Sequence, residues 1–225
     1  MTCPVLLVPG IHGSGPAHWQ SRWEALHPGV QRIAQHDWDR PVCSEWAAGI
    51  EHAVRAQAGP VVLVAHSLGC LALAHWLADA APQALARLAA VVMVAVPDPG
   101  GPEFPEQASG FAPLPARLPP LPLAVWSSND DPYSPNGFGE RMAAAWGAAH
   151  RSFGARGHLN ADSGLGDWAE AWAWVAAALN AQNRIGGGLP GGGLGGSGVG
   201  AGAGSGTAGA GTTARGLIGT GAAAT

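Results

Sequence analysis

The chain has 225 residues, of which 12% are charged, and its formal net charge is −4 at pH 7. This low, slightly acidic charge without a basic run excludes nucleic acid and anionic membranes as main partners, so we expect a small, largely apolar ligand. Three scattered cysteines, no signal sequence at the start of the chain and no run of about 18 apolar residues predict a cytoplasmic protein with reduced thiols.

Short apolar runs alternate with longer segments of helical spacing along the chain. The apolar runs predict strands at 4–8, 30–34, 60–65, 89–96, 122–126 and 149–153. The longer segments predict helices at 18–26, 44–57, 68–80, 136–146 and 165–182. Strands that alternate with helices indicate an α/β fold, here a doubly wound, mainly parallel sheet of about six strands without a cap domain.

Two segments interrupt this alternation. Residues 97–122 carry nine of the 19 prolines and show no periodicity, which predicts an irregular loop at the edge or mouth of the sheet. Residues 183–225 are mostly Gly, Ala, Ser and Thr and hold 18 of the 35 glycines. That composition predicts a disordered tail and leaves one folded domain at 1–182.

The run VVLVAHSLGC, residues 61–70, places a serine between a Val-rich strand and a helix. Ala65 and Gly69, two positions to either side of Ser67, are small enough for a tight turn to close. A strand, a tight turn and a helix around a serine form a nucleophile elbow. The pattern therefore predicts that Ser67 is a nucleophile.

The loop after the first strand, PGIHGSG at 9–15, contains glycines that let backbone N–H groups approach a ligand closely. Acyl transfer needs two N–H donors directed at the developing oxyanion. We expect one from Leu68, which follows the nucleophile, and one from Ile11 or its neighbour His12.

Candidate partners of the serine follow two later strands. The loop SSNDDPY, residues 127–133, offers Asp130 and Asp131, and the loop GARGHLN, residues 154–160, offers His158. Asp98, after the fourth strand, is a further candidate acid. The chain order Ser, Asp, His is that of α/β-hydrolases and differs from the chymotrypsin and subtilisin orders.

Several blocks of the sequence resemble one family: VPGIHGSGPAHWQSRWE, QHDWDRPVCSEW, VAHSLGC, SSNDDPY and GHLNADSGLGDW. They are similar to the small serine hydrolases that include retinoblastoma-binding protein 9 and many bacterial relatives. The resemblance spans 4–178 and implies Ser67 as nucleophile, Asp131 as the acid and His158 as the base. It departs only where Leu159 replaces a frequent isoleucine and in the Gly/Ala-rich tail.

The remaining expectations concern the ligand. Trp19, Phe104 and Phe111 are candidates for the wall of a substrate pocket. His12 and His18 lie six residues apart without a third ligand at metal spacing, so we expect neither a metal nor another cofactor. The sequence predicts hydrolysis of small carboxylic esters, with amides possible as substrates. The alternative is a non-catalytic interaction module on the same scaffold.

Overall fold

The computed structural model describes residues 3–186, so the tail predicted for 183–225 lies outside the described residues from 187 onward. Six strands form one sheet: β1 (Val5–Val8), β2 (Val30–Arg32), β3 (Val61–His66), β4 (Leu88–Val94), β5 (Leu123–Ser127) and β6 (Ala149–Ser152). The strand order is β2-β1-β3-β4-β5-β6, and every neighbouring pair is parallel. The predicted α/β fold with a parallel sheet is confirmed.

Within the described residues, six helices accompany the sheet: α1 (Trp19–Leu26), α2 (Cys43–Arg55), α3 (Leu68–Asp79), α4 (Pro82–Leu85), α5 (Phe138–Trp146) and α6 (Ala169–Gly186). Single 3-10 turns occur at Ile11–Gly13, Pro135–Gly137 and Ala161–Ser163. No helix within residues 3–186 combines the length and apolar character that spanning a bilayer requires.

Helices cover both faces of the sheet, and the side chains of β1 alternate between two apolar cores. Leu6 and Val8 pack on the side of α2, α3 and α5, whereas Val5 and Leu7 pack on the side of α1 and α6. Burial on both faces explains why β1, β3 and β4 read as unbroken apolar runs. All four residues of the edge strand β6 are exposed.

Local backbone geometry explains where two helices start later than the sequence predicts. Asn136 and Gly137 have φ angles of 56° and 68°, so α5 begins at Phe138. Gly166 and Trp168 have φ angles of 57° and 42°, so α6 begins at Ala169 and not at residue 165. Left-handed residues do not continue a right-handed helix. The four-residue α4 was not predicted.

The order in which the chain adds strands to the sheet changes side at β1. The chain goes from β1 to the edge strand β2 and then returns to β3 on the other side of β1. Val8, the last residue of β1, pairs with Ala65 near the end of β3. The loops that follow β1 and β3 therefore lie side by side at the carboxyl edge, where open α/β sheets bind ligands.

Candidate active site

Ser67 occupies the sharp turn between β3 and α3 with φ 53° and ψ −127°. Such a backbone conformation costs a non-glycine residue about 1–3 kcal/mol and persists only where the surroundings enforce it. One constraint is Gly69, because a Cβ atom there would lie 2.5 Å from the Pro9 carbonyl oxygen. The first turn of α3 can approach the end of β1 only with glycine at this position, so this geometry matches the predicted elbow.

The hydroxyl of Ser67 faces His158, which lies in the loop between β6 and α6. The distance from Ser67 Oγ to His158 Nε2 is 2.8 Å. The other ring nitrogen, Nδ1, lies 2.9 Å from each carboxylate oxygen of Asp131. The three side chains, 91 and 27 residues apart along the chain, therefore form one continuous hydrogen-bonded row.

The carboxylate of Asp131 is fixed in this row. Its side chain is fully buried, and Oδ1 also accepts the Tyr133 N–H at 2.9 Å. An acceptor on Nδ1 places the proton of neutral His158 on that nitrogen, which leaves Nε2 free to accept from the serine hydroxyl. The ring is therefore in the tautomer that can remove the proton of Ser67.

The two other candidate acids, Asp130 and Asp98, form hydrogen bonds with groups other than the His158 ring. Asp130 Oδ1 accepts the Ser128 hydroxyl at 2.7 Å and the Gly157 N–H at 2.8 Å. These two donors hold the pKa of Asp130 below its ordinary value. Asp98 Oδ1 accepts the Gly100 N–H at 2.9 Å, as in an ordinary turn. Asp130 thus ties the β5 loop to Gly157, the residue before His158, and Asp98 forms a turn.

Trp19 was predicted to line the pocket, and this is wrong. Its side chain is 1% exposed and packs in the core under α1, with its ring centroid 4.7 Å from that of Trp23. The indole Nε1–H donates to the Leu159 carbonyl at 2.8 Å. The indole is directed to the back of the loop that carries His158, because α1 packs behind that loop. Trp19 supports the loop that carries His158 and is not among the residues that line the cleft.

Leu68 and Ile11, the two predicted N–H donors, both line the cleft beside Ser67. Leu68 is the first residue of α3 and Ile11 the first of a 3-10 turn, so neither N–H has a carbonyl partner within its own turn. The alternative donor, His12, is wrong because its N–H already donates to the Trp38 carbonyl at 3.0 Å. The imidazole of His12 is exposed and pairs with Asp39 at 3.1 Å.

The loop that carries Ile11 is held against the serine from two sides. A Cβ atom on Gly10 would lie 2.9 Å from the Cβ atom of Ser67 and 3.3 Å from its Oγ. Glycine is therefore required for the backbone to approach this closely. On the far side, the guanidinium of Arg32 donates to the carbonyls of Gly13 and Ser14.

A cleft of about 480 Å³ opens above Ser67, between the β1 loop, the Pro-rich segment and the loop that carries His158. Most of its lining side chains are polar, among them His12, His18, His66, Glu103, Gln107 and Tyr133. Most of the surface that the cleft exposes is nevertheless apolar, so the lining does not contradict the expectation of a largely apolar ligand. Two other surface concavities, of about 630 and 550 Å³, contain neither Ser67 nor His158.

The Pro-rich segment does reach the cleft, but not through the predicted residues. Glu103, Pro105 and Gln107 line it. Phe111 is 1% exposed and packs against Trp46 of α2, with ring centroids 6.1 Å apart. Phe104 packs on the same core, 6.4 Å from Phe111. Both predictions were wrong because the segment turns its aromatic rings toward α2 and its polar side chains toward the serine.

Two histidines beside His158, His18 and His66, were not predicted to line the cleft. His66 Nε2–H donates to the backbone carbonyl of His158 at 3.0 Å, and its ring lies 4.7 Å from that of His18. Burial lowers the pKa of His66 well below its ordinary value, and burial lowers that of His18 to about 4. Both rings are therefore neutral at pH 7. The sequence analysis considered His18 only as a metal ligand together with His12, and it rejected that role.

The cysteines are not placed for chemistry in this site. Cys70, three residues after Ser67, is fully buried in α3, and its thiol donates to the Val94 carbonyl. Burial raises the pKa of the thiols of both Cys70 and Cys43, that of Cys43 to about 12. Among residues 3–186, no group of three or more His, Cys, Asp or Glu side chains is arranged to hold a metal ion.

The chain is similar to known hydrolases. A family model described as serine hydrolase matches residues 5–177. A protein from Pectobacterium atrosepticum assigned as a YdeN-like hydrolase is 28% identical, with a TM-score of 0.69 over 80% of this chain and 92% of that one. Comparison with curated proteins found no match.

Two further solved structures share the fold. The ydeN gene product of B. subtilis is 20% identical, with a TM-score of 0.58 over 80% of this chain and all of that one. A protein from Burkholderia cenocepacia assigned as an aryl esterase is 14% identical, with a TM-score of 0.59 over 80% of this chain and 92% of that one.

Proposed function

Because the chain belongs to the serine hydrolase family, we propose that it cleaves small carboxylic esters, or amides, through an acyl-enzyme formed on Ser67. The observation that carries this proposal is the continuous row from Ser67 Oγ through His158 to the buried carboxylate of Asp131, with distances of 2.8 and 2.9 Å. Three side chains that served only for packing would not need to form this continuous row of hydrogen bonds.

The first half-reaction forms the acyl-enzyme. Ser67 Oγ attacks the substrate carbonyl carbon, and its proton passes to His158 Nε2. The Asp131 carboxylate keeps the Nδ1–H in place and stabilises the imidazolium. The N–H groups of Leu68 and Ile11 donate to the oxygen that becomes negative. His158 then gives its proton to the leaving alcohol or amine, and the C–O or C–N bond breaks.

The second half-reaction releases the acid. Water loses a proton to His158 Nε2 as it attacks the acyl carbon, and the proton then returns to Ser67 Oγ as the ester bond to the serine breaks. The carboxylic acid leaves the cleft, and the enzyme is restored. The same base and the same two N–H donors serve both steps.

A fluorophosphonate probe tests the nucleophile directly, because it modifies activated serines. Wild-type protein should be labelled at one site, and Ser67→Ala should lose both labelling and ester hydrolysis while it keeps a cooperative unfolding transition. Ser44→Ala, an exposed serine of α2, serves as the control and should be labelled as wild type is. A wild-type protein that resists the probe would favour the non-catalytic interaction module instead.

The base is tested in the same assay. His158→Ala should lower kcat about as much as Ser67→Ala, since members of such a row act as a unit. A residual rate of about 10³ over the uncatalysed reaction is expected from the N–H donors and substrate binding. A variant that retains near wild-type kcat would remove His158 from the mechanism.

A further inference from the structure

The wall of the cleft above Ser67 carries one acidic side chain and no Lys or Arg. Glu103 is the sole Asp, Glu, Lys or Arg among the lining residues within 3–186. Glu103 is exposed, and within the described part of the chain its carboxylate makes no hydrogen bond or ion pair. An exposed glutamate is ionised at pH 7. No contact holds this negative charge away from a ligand in the cleft.

The backbone on both sides of Glu103 is fixed. The Asp98 N–H donates to the Tyr133 carbonyl at 2.8 Å, and the Phe104 N–H donates to the Gly101 carbonyl at 3.2 Å. The Phe104 ring packs on the core beneath the segment. Glu103 is therefore held at the wall of the cleft, and its side chain is the part that can move.

Neighbouring groups do not neutralise this charge. Burial lowers the pKa of His18 to about 4 and that of His66 well below its ordinary value, so both rings are neutral at pH 7. His12 pairs with the exposed carboxylate of Asp39, which already matches any positive charge on its ring. The cleft therefore attracts cations and repels anions.

The remainder of the lining suits an alkylammonium ligand. Most of the exposed surface is apolar, and Tyr133 adds an aromatic ring of the kind that attracts ammonium ions. The oxygen of the attacked carbonyl has the N–H groups of Ile11 and Leu68 as donors. The positive charge must therefore be carried by another part of the substrate.

We propose that Glu103 selects substrates with an ammonium group on the acyl or the alcohol side, in preference to neutral esters of the same shape. This inference rests on the proposed esterase function. It adds a specificity-determining residue on the Pro-rich segment and leaves the chemical step to Ser67 and His158.

Two pairs of esters that differ only by a quaternary nitrogen in place of a quaternary carbon test the inference. On the acyl side, 4-nitrophenyl 4-(trimethylammonio)butanoate is compared with 4-nitrophenyl 5,5-dimethylhexanoate. On the alcohol side, choline butanoate is compared with 3,3-dimethylbutyl butanoate. For each pair the readout is the kcat/KM ratio of the cationic ester to its neutral counterpart. Intrinsic reactivity cancels when the ratio is compared between wild type and variant.

Glu103→Gln removes the charge and keeps the shape of the side chain. For at least one pair it should lower the ratio about three- to fivefold, the upper range for an exposed ion pair. Glu106→Gln is the matched control, because Glu106 is an exposed glutamate of the same segment that does not line the cleft. It should leave both ratios near wild type.

Salt provides an independent readout of the same charge. Raising the ionic strength from about 0.01 M to about 1 M shortens the screening length from about 30 Å to about 3 Å. The wild-type ratio should fall over this range, and that of Glu103→Gln should change less. A change of shape alone would not alter this dependence.

The possible outcomes are distinct. A loss of the ratio in Glu103→Gln but not in Glu106→Gln supports the inference, and the affected pair assigns the side that carries the cation. Ratios that equal wild type in both pairs, or equal losses in the two variants, would overturn it while ester hydrolysis itself remains. A wild-type protein that hydrolyses none of the four esters and resists the fluorophosphonate probe would overturn the proposed function and the inference together.

Discussion

The indole N–H of Trp19 donates to the backbone carbonyl of Leu159, 2.8 Å away, although 140 residues separate them along the chain. His66, directly before the proposed nucleophile, donates to the next carbonyl back, that of His158, at 3.0 Å. Trp19 and His66, both from the N-terminal half of the chain, therefore bind the carbonyl groups of two consecutive residues at the proposed base. The imidazole of His158 is positioned from its backbone as well as through Asp131.

Trp19→Phe removes one of these donors and keeps an aromatic ring. Because Leu159 is fully buried, its carbonyl would be left without a partner, and the free energy of unfolding should fall by about 1–3 kcal/mol. We expect kcat to fall as well, since the loop of His158 loosens. Urea denaturation and ester hydrolysis measure the two effects.

Trp174→Phe is the matched control. The ring centroids of Trp174 and Trp126 lie 5.5 Å apart, and the Trp174 indole N–H makes no hydrogen bond within residues 3–186. It should destabilise the domain less than Trp19→Phe and leave kcat near wild type. Equal effects of the two substitutions on kcat would contradict the supporting role of Trp19.

The three candidate acids are separated by substitution with Asn. Asp131→Asn should lower kcat by a factor of about 10⁴, because the amide favours the wrong imidazole tautomer. Asp130→Asn should lower kcat much less, since it weakens the contacts with the Ser128 hydroxyl and the Gly157 N–H and leaves the Asp131–His158 pair intact. Asp98→Asn should lower kcat least of the three. If Asp98→Asn proved the most damaging in an ester assay, the acid would come from the loop after β4.

Gly10→Ala tests the close approach of the β1 loop to Ser67. The added methyl group would lie 2.9 Å from the serine Cβ, so either the hydroxyl or the Ile11 N–H must move. Displacement of a catalytic group by about 1 Å can lower kcat by about 100-fold. Gly15→Ala is the control, because nothing lies within 4 Å of a Cβ atom at that position. Similar kcat values for both variants would argue against a tightly fitted loop.

The low pKa of His18 predicts how stability depends on pH. Its folded pKa of about 4 lies below the ordinary 6.5, so between these values the unfolded chain binds more protons. The free energy of unfolding therefore rises with pH across this window, and the contribution is lost as pH falls. From pH 7 to pH 5, wild type should lose about 2 kcal/mol more than His18→Asn in urea denaturation. Equal losses would mean that His18 titrates normally when folded.

The residues at strand ends were predictable because chemistry and topology coincide there. In a parallel sheet the carboxyl ends of the strands meet at one edge. A serine between small residues after a Val-rich strand can therefore be paired with an Asp and a His that follow later strands. The structure brings Ser67, Asp131 and His158 together as the sequence analysis expected. Their catalytic roles stay predictions until the variants are measured.

The pocket wall was less predictable, because the segment between β4 and β5 has no hydrophobic period. Its course is set by contacts from other parts of the chain, such as the Cys43 N–H, which donates to the Ser109 carbonyl at 2.9 Å. The same holds for His12, whose N–H is occupied by Trp38. In contrast, the i, i+4 spacing of Trp19 and Trp23 did indicate a core-facing side of α1, and it was the better guide to Trp19.

The bond from Trp19 to Leu159 also bears on how the domain is synthesised. While the chain emerges from the ribosome, β1, α1 and β3 can associate long before the loop of His158 has been translated. Contacts of such large sequence separation form late, since the loop that they close is entropically costly. A chain that ends before residue 158 therefore contains Ser67 and Asp131 but lacks both the proposed base and the carbonyl that accepts the Trp19 indole N–H.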